Sequence, residues 1–206
     1  MPKQLLTALL MLFTCFAALP GSLCEAADNP LLSSQDKIIA ECTAAVAADP
    51  NDYIPYYRRA QAYLAKNMYD EAISDCSRAI EIKPDYAAAY YTRGRINHDR
   101  KKWDAATEDY SQAIKCDPSY AQAYSNRAFC YNQKEQYDLA IVDATKAIEL
   151  SPKLVQYAYF QLGEAYTKKK QYDDAIAAYR AAIANLTDVK FVEMAKGRIR
   201  ALGGTV

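Results

Sequence analysis

Residues 69–84 read YDEAISDCSRAIEIKP, residues 103–118 read WDAATEDYSQAIKCDP, and residues 137–152 read YDLAIVDATKAIELSP. Each opens on an aromatic residue followed by Asp and closes on Pro, and the three lie 34 residues apart. The interval extends beyond them. Pro50, Pro84, Pro118 and Pro152 keep it, as do Ala45-Val46, Ala79-Ile80, Ala113-Ile114 and Ala147-Ile148. After one inserted residue near Val155 it resumes with Tyr172-Asp173 and Ala182-Ile183. Self-similarity at a fixed period of this size decides the architecture before any single residue does. Small side chains recur where two helices must approach closely, aromatics where neighbouring units leave space, and Pro where a helix must stop.

Composition narrows the class of protein. The 206-residue chain carries 25 Lys and Arg against 25 Asp and Glu, so it has no net charge to attract nucleic acid or an anionic membrane, and no nucleic-acid partner is expected. With 6 Gly, 8 Pro and 51% hydrophobic residues, disorder, collagen and turn-rich all-β architectures are disfavoured. All 18 Tyr fall between Tyr53 and Tyr179, which sets a patterned body apart from a different N-terminal segment.

The repeating residues resemble the tetratricopeptide repeat family, whose helix-turn-helix unit has a large aromatic at position 4, small residues at 8, 20 and 27, and Pro at 32. On that frame the full repeats are 53–86, 87–120, 121–154 and 156–189. Position 4 is Tyr56, Tyr90, Tyr124 and Tyr159, assigned to packing; position 8 is Ala60, Gly94, Ala128 and Gly163; position 20 is Ala72, Ala106, Ala140 and Ala175. The resemblance implies an all-α fold, a right-handed α-solenoid in which each unit buries its hydrophobic face only by stacking on its neighbours. Residues 35–52 match the second helix of a unit and form an N-terminal half-repeat. Residues 190–202, with Gly197 placed 34 after Gly163, form a polar C-terminal capping helix ending at Gly203-Gly204. Asp70, Asp104, Asp138 and Asp173 are expected to cap the second helices.

Ahead of the repeats, residues 4–24 carry no charge, and Leu5 to Leu19 is apolar until Pro20-Gly21. An apolar run of 15 residues falls short of the roughly 20 needed to span a bilayer, so residues 1–26 read as a secretory signal peptide. Cleavage after Cys24 and after Ala26 both satisfy the small-residue requirement. The mature chain is then expected to be periplasmic or secreted with no integral membrane span, and anchoring through the N-terminal segment is the lesser alternative.

Catalytic and metal chemistry find little support. His98 is the only histidine, and no Cys, His or carboxylate cluster has metal-ligand spacing, so no catalytic residue, metal or cofactor is expected. Export makes disulfides conceivable, but Cys42 and Cys76 share position 24 in adjacent units, roughly 10 Å apart in a stacked array and beyond disulfide reach. Four buried free thiols, at Cys42, Cys76, Cys116 and Cys130, are therefore expected. Asn185-Leu186-Thr187 is a glycosylation tripeptide of a kind common by chance.

The resemblance further implies that first helices line a concave surface through positions 2, 5, 9, 12 and 13. The candidate groove residues are then Tyr57, Gln61, Tyr91, Arg95, His98, Gln122, Phe129, Asn132, Phe160 and Glu164. Aromatic area would bury a partner's side chains while the amides pair with its backbone. The carboxylate clamp with which some family members grip acidic chaperone tails is matched only at Asn126, since Tyr91, Arg95, Tyr157 and Gln161 occupy its other places. The function expected is a non-enzymatic adaptor that binds a protein or peptide partner in that groove, in assembly of the cell envelope. The alternative is a structural module that self-associates or docks through its solenoid ends.

Overall fold

The computed structural model describes residues 33–151, 156–185 and 188–205. The N-terminal segment read from the sequence as a signal peptide, Pro152, the insertion near Val155 and Leu186-Thr187 of the glycosylation tripeptide lie outside the described residues. Among the described residues there are ten helices and no strand. They are α1 (Ser34–Ala48), α2 (Tyr53–Ala65), α3 (Tyr69–Ile82), α4 (Ala87–Asp99), α5 (Trp103–Cys116), α6 (Ala121–Gln133), α7 (Tyr137–Leu150), α8 (Gln156–Lys168), α9 (Tyr172–Asn185) and α10 (Val189–Ala201). None is long and apolar enough to cross a membrane.

Two compact units divide the chain, one ending at Ile82 and the other beginning at Lys83. In the first, α1 packs on α2 and α2 on α3. In the second, each helix from α4 to α10 packs on the next, and the first helices α4, α6 and α8 also touch one another in sequence. Helix-turn-helix pairs that contact only their neighbours are the solenoid architecture the period predicts.

Three-residue connections turn each hairpin. The backbone passes through left-handed geometry at Asn67, Lys101, Glu135 and Lys170, with φ near 60° in each case. There the N–H two residues past the cap reaches back into the helix: Met68 to the Tyr63 carbonyl at 2.9 Å, Lys102 to Asn97 at 2.8 Å, and Gln136 to Tyr131 at 2.9 Å. These bonds satisfy carbonyls that the helix end leaves bare. The second helices stop where proline forces them to, with Pro50, Pro84 and Pro118 each lying two residues beyond the end of α1, α3 and α5.

The recurring Asp residues correct the capping expectation. The second helices begin one residue earlier, at Tyr69, Trp103, Tyr137 and Tyr172, so each Asp stands inside the first turn. The caps Lys102 and Gln136 make no side-chain cap bond. The carboxylates still face the positive end of the helix dipole. Asp104 and Asp138 also pair with Lys134 and Lys169, the bases closing the next unit's first helix, and Asp36 pairs likewise with Lys66.

One packing device recurs in all four hairpins and a second in the first three. Where position 8 is Gly, the second helix supplies a tyrosine. A methyl group on Gly94 would stand 2.9 Å from the Tyr110 ring, and one on Gly163 would stand 2.6 Å from Tyr179. Where position 8 is Ala60 or Ala128, the facing residue shrinks to Cys76 or Ala144. The second device is a buried ion pair. Arg59 meets Asp75 with contacts of 2.7 and 2.8 Å, Arg93 meets Asp109 at 2.7 Å, and Arg127 meets Asp143 at 2.6 and 2.8 Å. Arg59 also donates to Thr43 and Arg127 to Ser111, both on the preceding helix, so the guanidinium ties one hairpin to the one before. The rings of Tyr56, Tyr90 and Tyr124 lie 5.6–5.7 Å from these same guanidinium groups.

All four described cysteines are free. Cys42, Cys76 and Cys130 are buried as expected, and burial pushes the Cys130 thiol up to about 12. Cys116 departs from the expectation: it is half-buried, with its sulfur 3.8 Å from the Pro84 carbonyl, because it closes α5 at the edge of the hairpin.

Candidate functional site

First helices α4, α6 and α8 lie side by side in the second unit, and α10 extends the row. Their neighbouring faces bound a hollow of about 330 Å³ lined by His98, Ser125, Asn126, Phe129, Tyr157, Gln161 and Phe191. A second hollow, of about 130 Å³, adjoins it and shares Phe129 and Gln161. Its further lining is Asn132, Gln133, Tyr137, Phe160, Glu164 and Lys168.

The aromatic wall is ordered ring by ring. His98 stacks on Phe129 with centroids 4.6 Å apart and planes 14° apart, and Trp103 sets its edge against both, at 5.6 and 5.8 Å. Across the hollow, Tyr157 meets Phe191 at 4.6 Å while remaining 44% exposed. Burial holds the His98 imidazole below its ordinary value of 6.5, with Arg95 pushing the same way and Asp99 opposing. The ring is therefore neutral near pH 7 and packs as an aromatic surface. Among the described residues the ring has no hydrogen-bond partner.

Amides occupy the remaining wall. Asn126 donates to the Tyr91 hydroxyl at 3.1 Å, fixing a ring that also packs on Tyr120 at 4.8 Å and Tyr110 at 5.8 Å. Asn132 donates to the Gln161 carbonyl at 2.9 Å and to its side-chain oxygen at 3.1 Å. Its own Oδ1 is buried without a partner among the described residues. A buried acceptor left unpaired costs roughly 1–3 kcal/mol.

The sequence-derived residues divide into three groups. His98, Phe129 and Asn132 come together around the hollows, with the exposed Arg95 one turn and Tyr91 two turns back on α4, and half-buried Gln122 at the start of α6. Tyr57 and Gln61 lie in the first unit, where Gln61 donates to the Tyr57 hydroxyl at 2.9 Å. Phe160 and Glu164 line the smaller hollow but are not freely presented. Phe160 is 6% exposed between Tyr179 and Phe191 and forms a floor. Glu164 accepts from the Tyr179 hydroxyl at 2.6 Å and pairs with Arg198 of α10 at 2.9 Å.

Phe191 is the residue that sequence reasoning missed. The segment carrying it was read as a polar cap, yet α10 directs Phe191, Ala195 and Ile199 inward and completes the hollow. A signal was present: Phe191 follows Tyr157 by 34, as Gly197 follows Gly163.

Comparison with known proteins accords with this geometry. Tetratricopeptide repeat models match residues 53–86 and 121–154, a TPR repeat model matches 94–134, and a further tetratricopeptide repeat model matches 157–184. The chain belongs to the tetratricopeptide repeat family. Among solved structures it is similar to MamA, at 24% identity and TM-score 0.68 over 75% of this chain and 95% of that one. It is also similar to a thermophilic tetratricopeptide protein of Thermus thermophilus, at 18% identity and TM-score 0.61 over 80% of this chain and 91% of that one. The Arabidopsis OM64 tetratricopeptide domain matches at 28% identity and TM-score 0.52 over 56% of this chain and 94% of that one. No curated protein sequence matches. Family and fold together support a general role in protein–protein interaction, and such repeats are typically interaction modules rather than enzymes.

Proposed function

We propose that this protein is an exported adaptor whose first helices hold a polypeptide segment of a partner in the hollow between α4, α6, α8 and α10. The observation that carries this reading is the hollow itself, where four rings from four helices surround a space edged by amides. Apolar burial there supplies affinity, and the amides pair with a bound backbone, the division of labour seen in extended-peptide recognition. The uncharged N-terminal run at residues 4–24 supports export. An exported scaffold with no net charge fits assembly work in a bacterial cell envelope, in the periplasm.

Exchanging Arg95 for Glu and Tyr157 for Ala tests this reading, because both side chains are exposed. Pull-down from the exporting cell should lose partner with either substitution, while light scattering shows the same particle mass as the parent. Loss of self-association with partner capture unchanged would favour the module that docks through its ends.

A further inference from the structure

We infer that the two adjoining hollows recognise a two-point motif, a bulky apolar side chain and a carboxylate two residues away on an extended peptide. This inference rests on the groove reading above and specifies its partner. The larger hollow carries no net charge of its own: its rings are His98, Phe129, Tyr157 and Phe191, and the exposed charges next to it on α4, Arg95 and Asp99, offset one another. Its volume of about 330 Å³ accommodates a phenylalanine or leucine side chain.

The smaller hollow differs in charge. Its charged lining residues are Glu164 and Lys168. Glu164 is already neutralised by Arg198 at 2.9 Å, whereas exposed Lys168 has no ion-pair partner among the described residues. The small hollow is thus cationic and complements a carboxylate.

Spacing follows from geometry. The two hollows adjoin across Phe129 and Gln161, and Phe129 and Asn132 stand three residues, about 4.5 Å of rise, apart on α6. Side chains on the same side of an extended strand recur every ~6.6 Å, so residues i and i+2 reach both hollows.

Fluorescence anisotropy with labelled nonapeptides of Gly and Ser, carrying one Phe and one Glu two residues apart in either order, tests the motif. The same assay run on an array of random nonapeptides gives the unbiased comparison. The expected result is binding in one of the two orders. It should weaken at least about tenfold when the peptide's Phe becomes Ala or its Glu becomes Lys. With Lys168→Glu the preference should reverse toward the Lys-bearing peptide. Binding of array peptides without an acidic residue, lost in the Tyr157→Ala protein, would overturn the motif while leaving the groove reading standing. Absence of binding to any nonapeptide would overturn both.

Discussion

Gly163 and Gly197 occupy the same position in successive units, yet a methyl group meets opposite surroundings at the two. At Gly163 it would stand 2.6 Å from the buried Tyr179 ring, and at Gly197 nothing lies within 4 Å. Gly163→Ala should therefore destabilise by about 1–3 kcal/mol through overpacking. Gly197→Ala should stabilise by roughly 0.5–1 kcal/mol, because alanine loses less backbone entropy in a helix. Urea denaturation of the two variants reads both signs. His98 supplies a pH prediction of the same grain. Its folded-state value lies below the ordinary 6.5, so as pH falls through 6.5 the unfolded chain takes up the proton first and stability declines. The decline stops only below the folded-state value. Urea midpoints at roughly pH 7.5 and roughly pH 5.5 should show a larger loss for the parent than for His98→Gln. An equal loss in both would show that the half-buried imidazole contributes none of it.

At the scale of the hairpin, the Arg–Asp pairs show what the period carries beyond helix boundaries. Arg59/Asp75, Arg93/Asp109 and Arg127/Asp143 recur in three units, and in the fourth both partners are apolar, Leu162 and Ala178. A buried pair that has lost one member leaves an uncompensated charge, costing about 3–5 kcal/mol, whereas removing both together is far cheaper. Asp143→Ala alone should thus be severely destabilising, and adding Arg127→Leu should recover much of the loss. A thermodynamic cycle on the four proteins measures the coupling, and simple additivity would contradict it. The helices, their turns and the close approach at position 8 were legible in the sequence because each requires a particular size or backbone geometry at a fixed interval. The ion pairs were legible in principle, as Arg and Asp 16 apart in step with the 34-residue period, but charged residues on helices usually face water. The Asp residues misled for a related reason: an acidic residue near a helix start fits a cap and a first turn equally well, and only the backbone tells which.

Across the molecule, the hollow depends on side chains that meet from helices far apart in sequence. The family resemblance implied His98, Phe129 and Asn132, at positions 12, 9 and 12 of their first helices. It could not show that Phe160 is covered by Tyr179 and Phe191, or that Glu164 is held by Arg198, because both follow from how α10 closes on α8 and α9. That closure predicts that Phe191→Ala opens the large hollow and weakens partner binding, with circular dichroism still helical. Arg198→Ala should free Glu164 and weaken acidic ligands through the restored negative charge. The central claim is that this hollow is where another polypeptide sits. A photo-crosslinking residue placed at Tyr157, which is 44% exposed at the rim, tests it against the same probe at Val142, which is 63% exposed on second helix α7. After irradiation in the native cell, the account predicts a polypeptide adduct from position 157 and none from position 142. Adducts confined to position 142, with position 157 silent, would contradict it.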